Sequence, residues 1–208
     1  MARRVITAAL ALTALAAGGQ ARAVTVDPDA FAHGTVIRNA FPNVTLTAQG
    51  CNLPNDNVLA WTDPLASTGI NSFAHGITHY LQEELEWGNG YNHWMRADFA
   101  NGAIRVSIDF IADDDTDDDA LLRAFNAGGT ELDSDASVGV YSTGEVVTLT
   151  VEAPDIAYVL IEPDVGAGSA WHLDHLVYDE TTVIPEPVSA FGVMMGLCLI
   201  AHRLRRRR

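Results

Sequence analysis

The feature that most constrains the fold is a strict alternation of apolar and polar residues in two segments. In "AIRVSIDF" (103–110) the apolar side chains that share one face are Ile104, Val106, Ile108 and Phe110. The segment "EVVTLTVEA" (145–153) repeats the pattern, with threonines between its apolar residues. A period of two places alternate side chains on opposite faces of a β-strand. Both segments are therefore predicted to be strands with one face against a core.

Short strand-like segments recur along residues 24–183, and turn residues separate them. The further segments are "TVI", "VTLTA", "VLAWT", "WMRADF", "AYVLIEP" and "HLDHLVYD". The glycines of "LLRAFNAGGTELDS" (121–134) predict a hairpin. Only "THYLQEELEW" (78–87) has helical spacing. Many short strands with little helix predict an all-β fold, a β-sandwich or jelly roll over residues 24–183.

The first 23 residues have the pattern of a secretory signal peptide. Arg3 and Arg4 precede an apolar stretch, and Ala21-Arg22-Ala23 is a small-x-small cleavage site. The alternative is an N-terminal membrane helix, for which the apolar stretch is short. We therefore expect the secretion translocon and signal peptidase to act on residues 1–23, and the exported chain to begin at Val24.

The predicted exported part is strongly acidic. Residues 24–184 contain four arginines, no lysine and 26 acidic residues, which gives a formal net charge of −22. Such a surface repels phosphate backbones, so nucleic acid is excluded as a partner. Cys51 and Cys198 are the two cysteines of the chain, and they fall in different predicted segments. A disulfide between them is not expected, so a hydrophobic core has to stabilise the domain.

The densest acidic run is "DDDTDDD" (113–119), which suggests a calcium site. Calcium binds hard oxygen ligands, and the candidate ligands here are Asp113, Asp115 and Asp117. An EF-hand loop beginning at Asp113 would need glycine and glutamate at the positions of Asp118 and Ala124, so that motif is absent. The alternative is a solvated loop at a strand end that binds no ion.

Five histidines suggest a weaker metal hypothesis, and no motif predicts catalysis. The histidines considered are His75, His79, His93, His172 and His175. Their spacing lacks the HExxH pattern of a zinc protease, and the nucleophile motifs are also absent. We therefore expect a non-enzymatic protein. The alternative is a secreted hydrolase, a glycosidase or a metal-dependent enzyme, which would need a cleft that joins carboxylates or histidines far apart in sequence, such as His75, His93 and Asp174.

The aromatic residues of "EWGNGYNHW" (86–94) form a candidate ligand-binding group. Trp87, Tyr91 and Trp94 lie close together in a stretch rich in glycine and asparagine. Aromatic faces beside amides could stack on a sugar and hydrogen-bond to it. The alternative places Trp87 and Trp94 in the core, because large aromatic residues are highly buried on average.

The C-terminus consists of three elements in a fixed order. Pro185-Glu186-Pro187 precedes an apolar stretch (188–201), and a basic cluster follows it, formed by Arg203, Arg205, Arg206, Arg207 and Arg208. The prolines predict a clean start for a short transmembrane helix. The arginines place its end in the cytoplasm, and the acidic domain then lies on the opposite side. The tail is either a permanent anchor or a segment that is removed.

With these three elements, residues 184–208 resemble the tail of PEP-CTERM proteins. The resemblance implies sorting by an exosortase, a transpeptidase-like membrane enzyme of Gram-negative bacteria. It also implies transient tethering at the inner membrane, then residence at the cell surface or in the extracellular matrix, with exopolysaccharide and biofilm. Polysaccharide is thereby a candidate partner.

The body also resembles the jelly-roll domains that such proteins carry. The segments concerned are "GTVIRNAFPNVTL", "FNAGGTELD" and "WHLDHLVYD". In carbohydrate-binding jelly rolls, a region comparable to "WHLDHLVYD" often supports a structural calcium. This resemblance makes Asp174 a further candidate calcium ligand. The alternative is an aspartate that caps or turns its strand.

Overall fold

A computed structural model of the chain describes residues 22–50, 57–76, 87–88, 93–113, 117–163 and 170–181. These residues form eleven β-strands and one short 3₁₀ helix, Pro28–Ala30. The strands are β1 Arg22–Val26, β2 Thr35–Val36, β3 Val44–Gln49, β4 Asn57–Thr62, β5 Asn71–Gly76, β6 Trp87–Gly88, β7 Trp94–Ala112, β8 Asp117–Phe125, β9 Glu131–Val140, β10 Val146–Pro163 and β11 Ala170–Glu180. The predicted all-β class is therefore confirmed for the described residues.

All strand pairs are antiparallel and form one hydrogen-bonded network. Its order is β2-β4-β5-β11-β7-β10-β8-β9, with β1 and β6 paired to β11 and β3 paired to β7. The predicted hairpin is the turn between β8 and β9. There the side-chain Oδ1 of Asn126 accepts hydrogen bonds from the amides of Gly128 and Thr130, at 2.9 and 3.0 Å. An asparagine side chain that holds its own turn in this way is a common device of tight loops.

The two longest strands, β7 and β10, bend, and each contributes to both halves of the network. The first half contains β11, β5, β4 and β2 with the second part of β7, and the second half contains β3, β8 and β9 with the first part of β7. The first part of β7 pairs with β3, and its second part pairs with β11. The pairing of β10 with β7 shifts register between Glu152 and Tyr158, opposite the bend of β7. Each half buries one face on a shared core. The Trp171 indole of β11 donates to the Asp119 carbonyl of β8 at 3.1 Å, which joins the two halves across that core.

The bend of β7 makes one prediction wrong, the burial of Ile104. The alternation in 103–110 predicts that Ile104 shares the buried face of Val106, Ile108 and Phe110. Those three are buried, whereas Ile104 is 38% exposed and Ala103 is buried instead. The strict alternation is interrupted between Ala100 and Arg105, where the strand passes from one half of the network to the other.

Large aromatic side chains fill the core between the halves. The largest fully buried ones are Trp87, Trp171, Tyr178, Phe73 and Phe110. The Phe110 and Trp171 rings meet edge to face at 5.8 Å, an arrangement that aromatic pairs favour. Burial of these apolar side chains is the main favourable contribution to the stability of the domain.

Several sequence predictions lie wholly or partly outside the described residues. These are most of the signal segment, the helical stretch 78–86 and the C-terminal tail with Pro185, Glu186, Pro187 and its arginines. Arg22 and Ala23, assigned to the end of the signal peptide, lie in β1. Among the described residues, no helix has the length and apolar character needed to cross a bilayer.

Candidate functional site

One face of the second half of the network carries a concentrated set of aromatic, guanidinium and carboxylate groups. We call it the outer face; its positions are the outward residues of β3, β7, β10 and β8. They are Thr45, Thr47, Gln49, Trp94, Arg96, Asp98, Tyr158, Leu160, Glu162, Leu121, Arg123 and Phe125. The strand register fixes their order, because Thr47 pairs with Arg96, Arg96 with Leu160, and Leu160 with Arg123.

Aromatic rings and guanidinium groups stack at the centre of the outer face. The Tyr158 and Phe125 rings are nearly parallel, with centroids 4.9 Å apart. The Arg96 guanidinium carbon lies 3.7 Å from the Tyr158 centroid, and that of Arg123 lies 5.2 Å from the Phe125 centroid. Cation–π contacts of this kind contribute about 0.5–2 kcal/mol each. Because β10 lies between β7 and β8, Arg96 and Phe125 approach Tyr158 from opposite sides.

Carboxylates hold both guanidinium groups in place. Arg96 makes a forked contact to Asp98, with its Nε 2.9 Å from Oδ2 and its Nη2 2.5 Å from Oδ1. Arg123 makes a similar contact to Glu162, at 2.6 and 2.9 Å. The hydrogen bond to Asp98 is the main reason that the pKa of Arg96 is raised, and Glu162 does the same for Arg123. Two-point contacts fix the direction of a guanidinium as well as its charge.

The three predicted aromatic ligand-binding residues have different positions. Trp94 lies half-buried on the outer face, beside Gln49 of β3. Trp87 is fully buried, its indole donates to the Phe73 carbonyl at 2.7 Å, and its ring packs on His75, so its ring face is not available to a ligand. Tyr91 lies outside the described residues.

Asp174 lies in a buried polar network on the outside of the other half. Its Oδ1 accepts from the His175 amide at 2.7 Å, and its Oδ2 accepts from the Thr68 amide at 2.9 Å. The hydroxyls of Ser67 and Thr68 also donate to Oδ2, at 3.0 and 3.3 Å. Asp109 is joined to the network through Ser67. Burial raises the pKa of Asp174, against the effect of these donors.

This network does not fit the calcium site that the resemblance implies for Asp174. Two backbone amides and two hydroxyls point at its carboxylate, and N–H groups occupy directions that a cation would need to approach. Within the described part of the chain, no group of three or more histidine, cysteine, aspartate or glutamate residues is arranged to hold a metal ion. Asp174 instead ties the loop 63–70 to β11.

The acidic run is joined to the domain through His172. His172 Nδ1 lies 2.7 Å from Asp63 Oδ2, and its Nε2 lies 3.3 Å from Asp113 Oδ1. Burial acts to raise the pKa of Asp63, but hydrogen bonds from His172, Ser72 and the Leu65 amide outweigh it, so this pKa is lowered. Asp115 lies outside the described residues, and for Asp117 only the backbone is described. The calcium hypothesis for the run therefore stays a prediction.

The three residues named for the hydrolase alternative do not converge. His75 Nε2 and His93 Nδ1 are 3.1 Å apart and buried. His75 shares its side of β5 with Phe73, which pairs with Leu173 of β11. Asp174 follows Leu173 directly and so points to the opposite side of the sheet. This example of a hydrolase cleft is thus divided between two faces of the sheet.

Sequence reasoning missed Tyr158, Arg96 and Arg123 as members of one surface. The alternation in "WMRADF" and "AYVLIEP" could have placed Arg96 and Tyr158 outward on their strands. It could not have shown that β10 lies between β7 and β8.

No protein-family model matches the chain, and no curated protein matches its sequence. Among solved structures, it is similar to an arabinose-bound GH51 α-L-arabinofuranosidase, with 12% identity and a TM-score of 0.45, over 76% of this chain and 26% of that one. It is also similar to the K2 cleaved adhesin domain of Lys-gingipain, with 15% identity and a TM-score of 0.45, over 76% of this chain and 99% of that one. A family 22 carbohydrate-binding module of Clostridium thermocellum matches with 11% identity and a TM-score of 0.40, over 77% of this chain and 99% of that one. At these scores, resemblance alone carries no function over to this chain.

Proposed function

We propose that the acidic domain is a non-catalytic module that binds a neutral polysaccharide on its outer face. The observation that carries the proposal is the fixed cluster of Arg96, Tyr158, Phe125 and Arg123 beside the half-buried Trp94. A broad, ordered face with one stacking ring and several hydrogen-bonding groups suits a sugar chain better than a small ligand that must be enclosed.

Trp94 and the guanidinium groups have different tasks in this proposal. The faces of Tyr158 are occupied by Arg96 and Phe125, so Trp94 supplies the ring on which a sugar stacks. The paired arginines and carboxylates then donate to and accept from sugar hydroxyls. Because these groups are held before binding, little side-chain entropy is lost on association.

Charge supports a neutral ligand rather than a polyanion. The stretch 24–184 carries a formal charge of −22, and the two arginines of the outer face are paired with Asp98, Glu162 and Glu131. No uncompensated positive group is therefore offered to a sulfated or uronic-acid polymer.

We also propose that the chain is exported and sorted by its C-terminal segment. The support is the sequence pattern, namely the signal-peptide-like residues 1–23 and the PEP-CTERM-like residues 184–208. The translocon and signal peptidase would act first, and an exosortase would act at Pro185-Glu186-Pro187. The domain would then work at the cell surface or in the matrix of a Gram-negative bacterium.

Affinity electrophoresis through gels that contain a neutral polysaccharide tests the binding. A panel of xylan, mixed-linkage β-glucan, galactomannan and arabinan serves as the set of probes. We expect at least one polymer to retard the protein. Trp94→Ala should abolish the retardation, because stacking of a sugar ring on the Trp94 indole supplies much of the affinity for the polymer. Ile70→Ala, at a side chain 66% exposed and away from the outer face, is the matched control. Equal retardation of Trp94→Ala and Ile70→Ala would contradict the proposal, as would a lack of retardation by every polymer.

Mass spectrometry of the protein from its native cells tests the sorting. A mature form that begins at Val24 and ends near Pro185 is expected. A membrane-bound form whose mass includes Arg208 would mean that the tail is a permanent anchor.

A further inference from the structure

A concave site lies where β7 and β10 bend, at the end of the outer face. It is a cavity of about 500 Å³, a size typical of small-molecule sites. The bends contribute Phe99, Gly102 and Asp155, and the turn between β8 and β9 contributes Asn126 and Gly128. The cavity is thus built from three separate segments of the chain that the bends bring together.

Polar groups at the cavity have unused hydrogen-bonding capacity. Asn126 uses Oδ1 for its own turn, which leaves its amide nitrogen as a donor. The exposed carboxylate of Asp155 makes no hydrogen bond or ion pair to any residue that the structure describes. A donor and an acceptor without internal partners are therefore present at the same cavity.

A buried hydroxyl lies behind the cavity lining, beside Gly102. Thr181 Oγ1 is buried and has no hydrogen-bond partner among the described residues, which is uncommon for such an atom. It lies 3.6 Å from the position that a Cβ on Gly102 would take, and the Ile156 carbonyl oxygen lies at the same distance. The absence of a side chain at Gly102 thus leaves two polar atoms facing one small space.

The backbone at this place is also unusual. Asp155 has φ of 60°, a left-handed conformation that costs conformational energy in a residue other than glycine. It lies in the register shift of β10 between Glu152 and Ile156, and such bulges often redirect a side chain next to a binding site. The left-handed residue and the cavity therefore occur at the same place in the chain.

We propose that this cavity, the bend pocket, binds one neutral sugar unit at the end of the polysaccharide held by the outer face. The ligand class rests on the proposed function. Phe99, Ala100 and Ala157 supply apolar surface for the C–H groups of a sugar ring, and Asp155 and Asn126 supply partners for its hydroxyls. An anion is disfavoured by Asp155 and by the charge of the domain. Tyr158 of the outer face directly follows Ala157, which lines the pocket, and its partner Phe125 directly precedes Asn126.

Saturation-transfer NMR with methyl glycosides of glucose, galactose, mannose, xylose and arabinose tests the bend pocket. A single sugar unit is too short to depend on the outer face, so we expect transfer from wild type and from Trp94→Ala alike. Ala127→Trp, at an exposed position on the pocket wall, should abolish the transfer, whereas Ala32→Trp, at an exposed position elsewhere, should not. Asp155→Asn keeps the size and the tolerance for a positive φ, and should weaken binding about tenfold or more by removing a charged acceptor.

The two proposals fail in different ways. No transfer from any glycoside, or equal transfer from Ala127→Trp and Ala32→Trp, overturns the bend pocket while leaving polysaccharide retardation intact. Transfer that disappears in Trp94→Ala also overturns it, because the sugar would then lie on the outer face. Transfer with full pocket dependence, but no polymer retardation, would support the bend pocket and contradict the outer face.

Discussion

Replacing Asp174 with alanine should unfold the loop 63–70 from the sheet and destabilise the domain strongly. Asp174 is fully buried and accepts from the amides of Thr68 and His175, at 2.9 and 2.7 Å, and from two hydroxyls. Ser67 has a second acceptor in Asp109, so its hydroxyl stays satisfied after the change. The amides of Thr68 and His175 lose this acceptor; both bonds are part-buried, so the cost of about 1–3 kcal/mol for a fully buried unpaired donor is the upper limit for each.

The expected loss is therefore at most about 2–6 kcal/mol for the two amides together. The lower part of that range is favoured, since burial raises the pKa of Asp174 and removal of the carboxylate recovers its desolvation cost. Urea unfolding followed by tryptophan fluorescence measures the difference. Ser67→Ala is the comparison variant, because it removes one hydroxyl that Asp174 and Asp109 share and should cost about 1 kcal/mol. A loss for Asp174→Ala no larger than that for Ser67→Ala would refute the role of Asp174 as the tie between loop and sheet.

Asp174→Asn tests the sign of the pKa shift at the same residue. A raised pKa in the folded state means that the protonated form is favoured by folding, relative to the unfolded chain. The stability that wild type gains from this group is present below its ordinary pKa of 3.8, and is lost as the pH rises through the raised value. The advantage of wild type over Asp174→Asn should therefore shrink as the pH rises from that region. An advantage that grows with pH would contradict the buried environment assigned to Asp174.

Three further outcomes are expected. Asp63→Asn should lower the free energy of unfolding by about 1.5–3 kcal/mol at neutral pH, because it weakens a charged hydrogen bond to His172. Since the pKa of Asp63 is lowered, this loss should disappear as the pH falls below 3.8. A loss that stays constant with pH in urea unfolding would be inconsistent with the lowered pKa. Gly69→Ala should destabilise the domain by at least about 1–3 kcal/mol, because φ is +61° and the new Cβ would lie 1.5 Å from Asp29 Oδ2. Gly139→Ala should destabilise it much less, because the nearest atom to its new Cβ is in Tyr141 at 3.6 Å. Equal melting temperatures for the two variants would count against the close approach of Gly69 to Asp29. Millimolar calcium should raise the melting temperature of wild type and of Asp174→Asn but not of the triple variant Asp113→Asn, Asp115→Asn, Asp117→Asn, and no shift in wild type would remove calcium from the acidic run.

The strands could be predicted from the sequence because their pattern is local. Alternation in 103–110 and 145–153 reports which residues face inward, and the glycines of 126–129 report the hairpin. The exception is Ile104, at a bend whose position depends on how β7 leaves β3 for β11. That partner exchange is a long-range property, so a local pattern does not contain it.

The outer face could be predicted only in part, for the same reason. The sequence predicts Trp94 as a candidate, but Tyr158 and Phe125 of the same face come from strands far along the chain, and the strand register alone places them on that face. The division of His75 and Asp174 between two faces has the same origin. Which side chains of β5 and β11 share a face is known only from the pairing of Phe73 with Leu173. Residue type suggested the chemistry, and strand pairing decided which groups could act together.

NMR mapping of the binding surface distinguishes a sugar chain bound on the outer face from one bound elsewhere on the domain. Titration of the labelled protein with the oligosaccharide repeat of whichever polymer retards it should shift the indole N–H of Trp94 and the guanidinium N–H signals of Arg96 and Arg123 most strongly. The buried indole N–H of Trp87, which donates to Phe73, should change little and serves as the internal reference. Shifts confined to the loop 63–70 or to β9, with the Trp94 indole unmoved, would contradict the account.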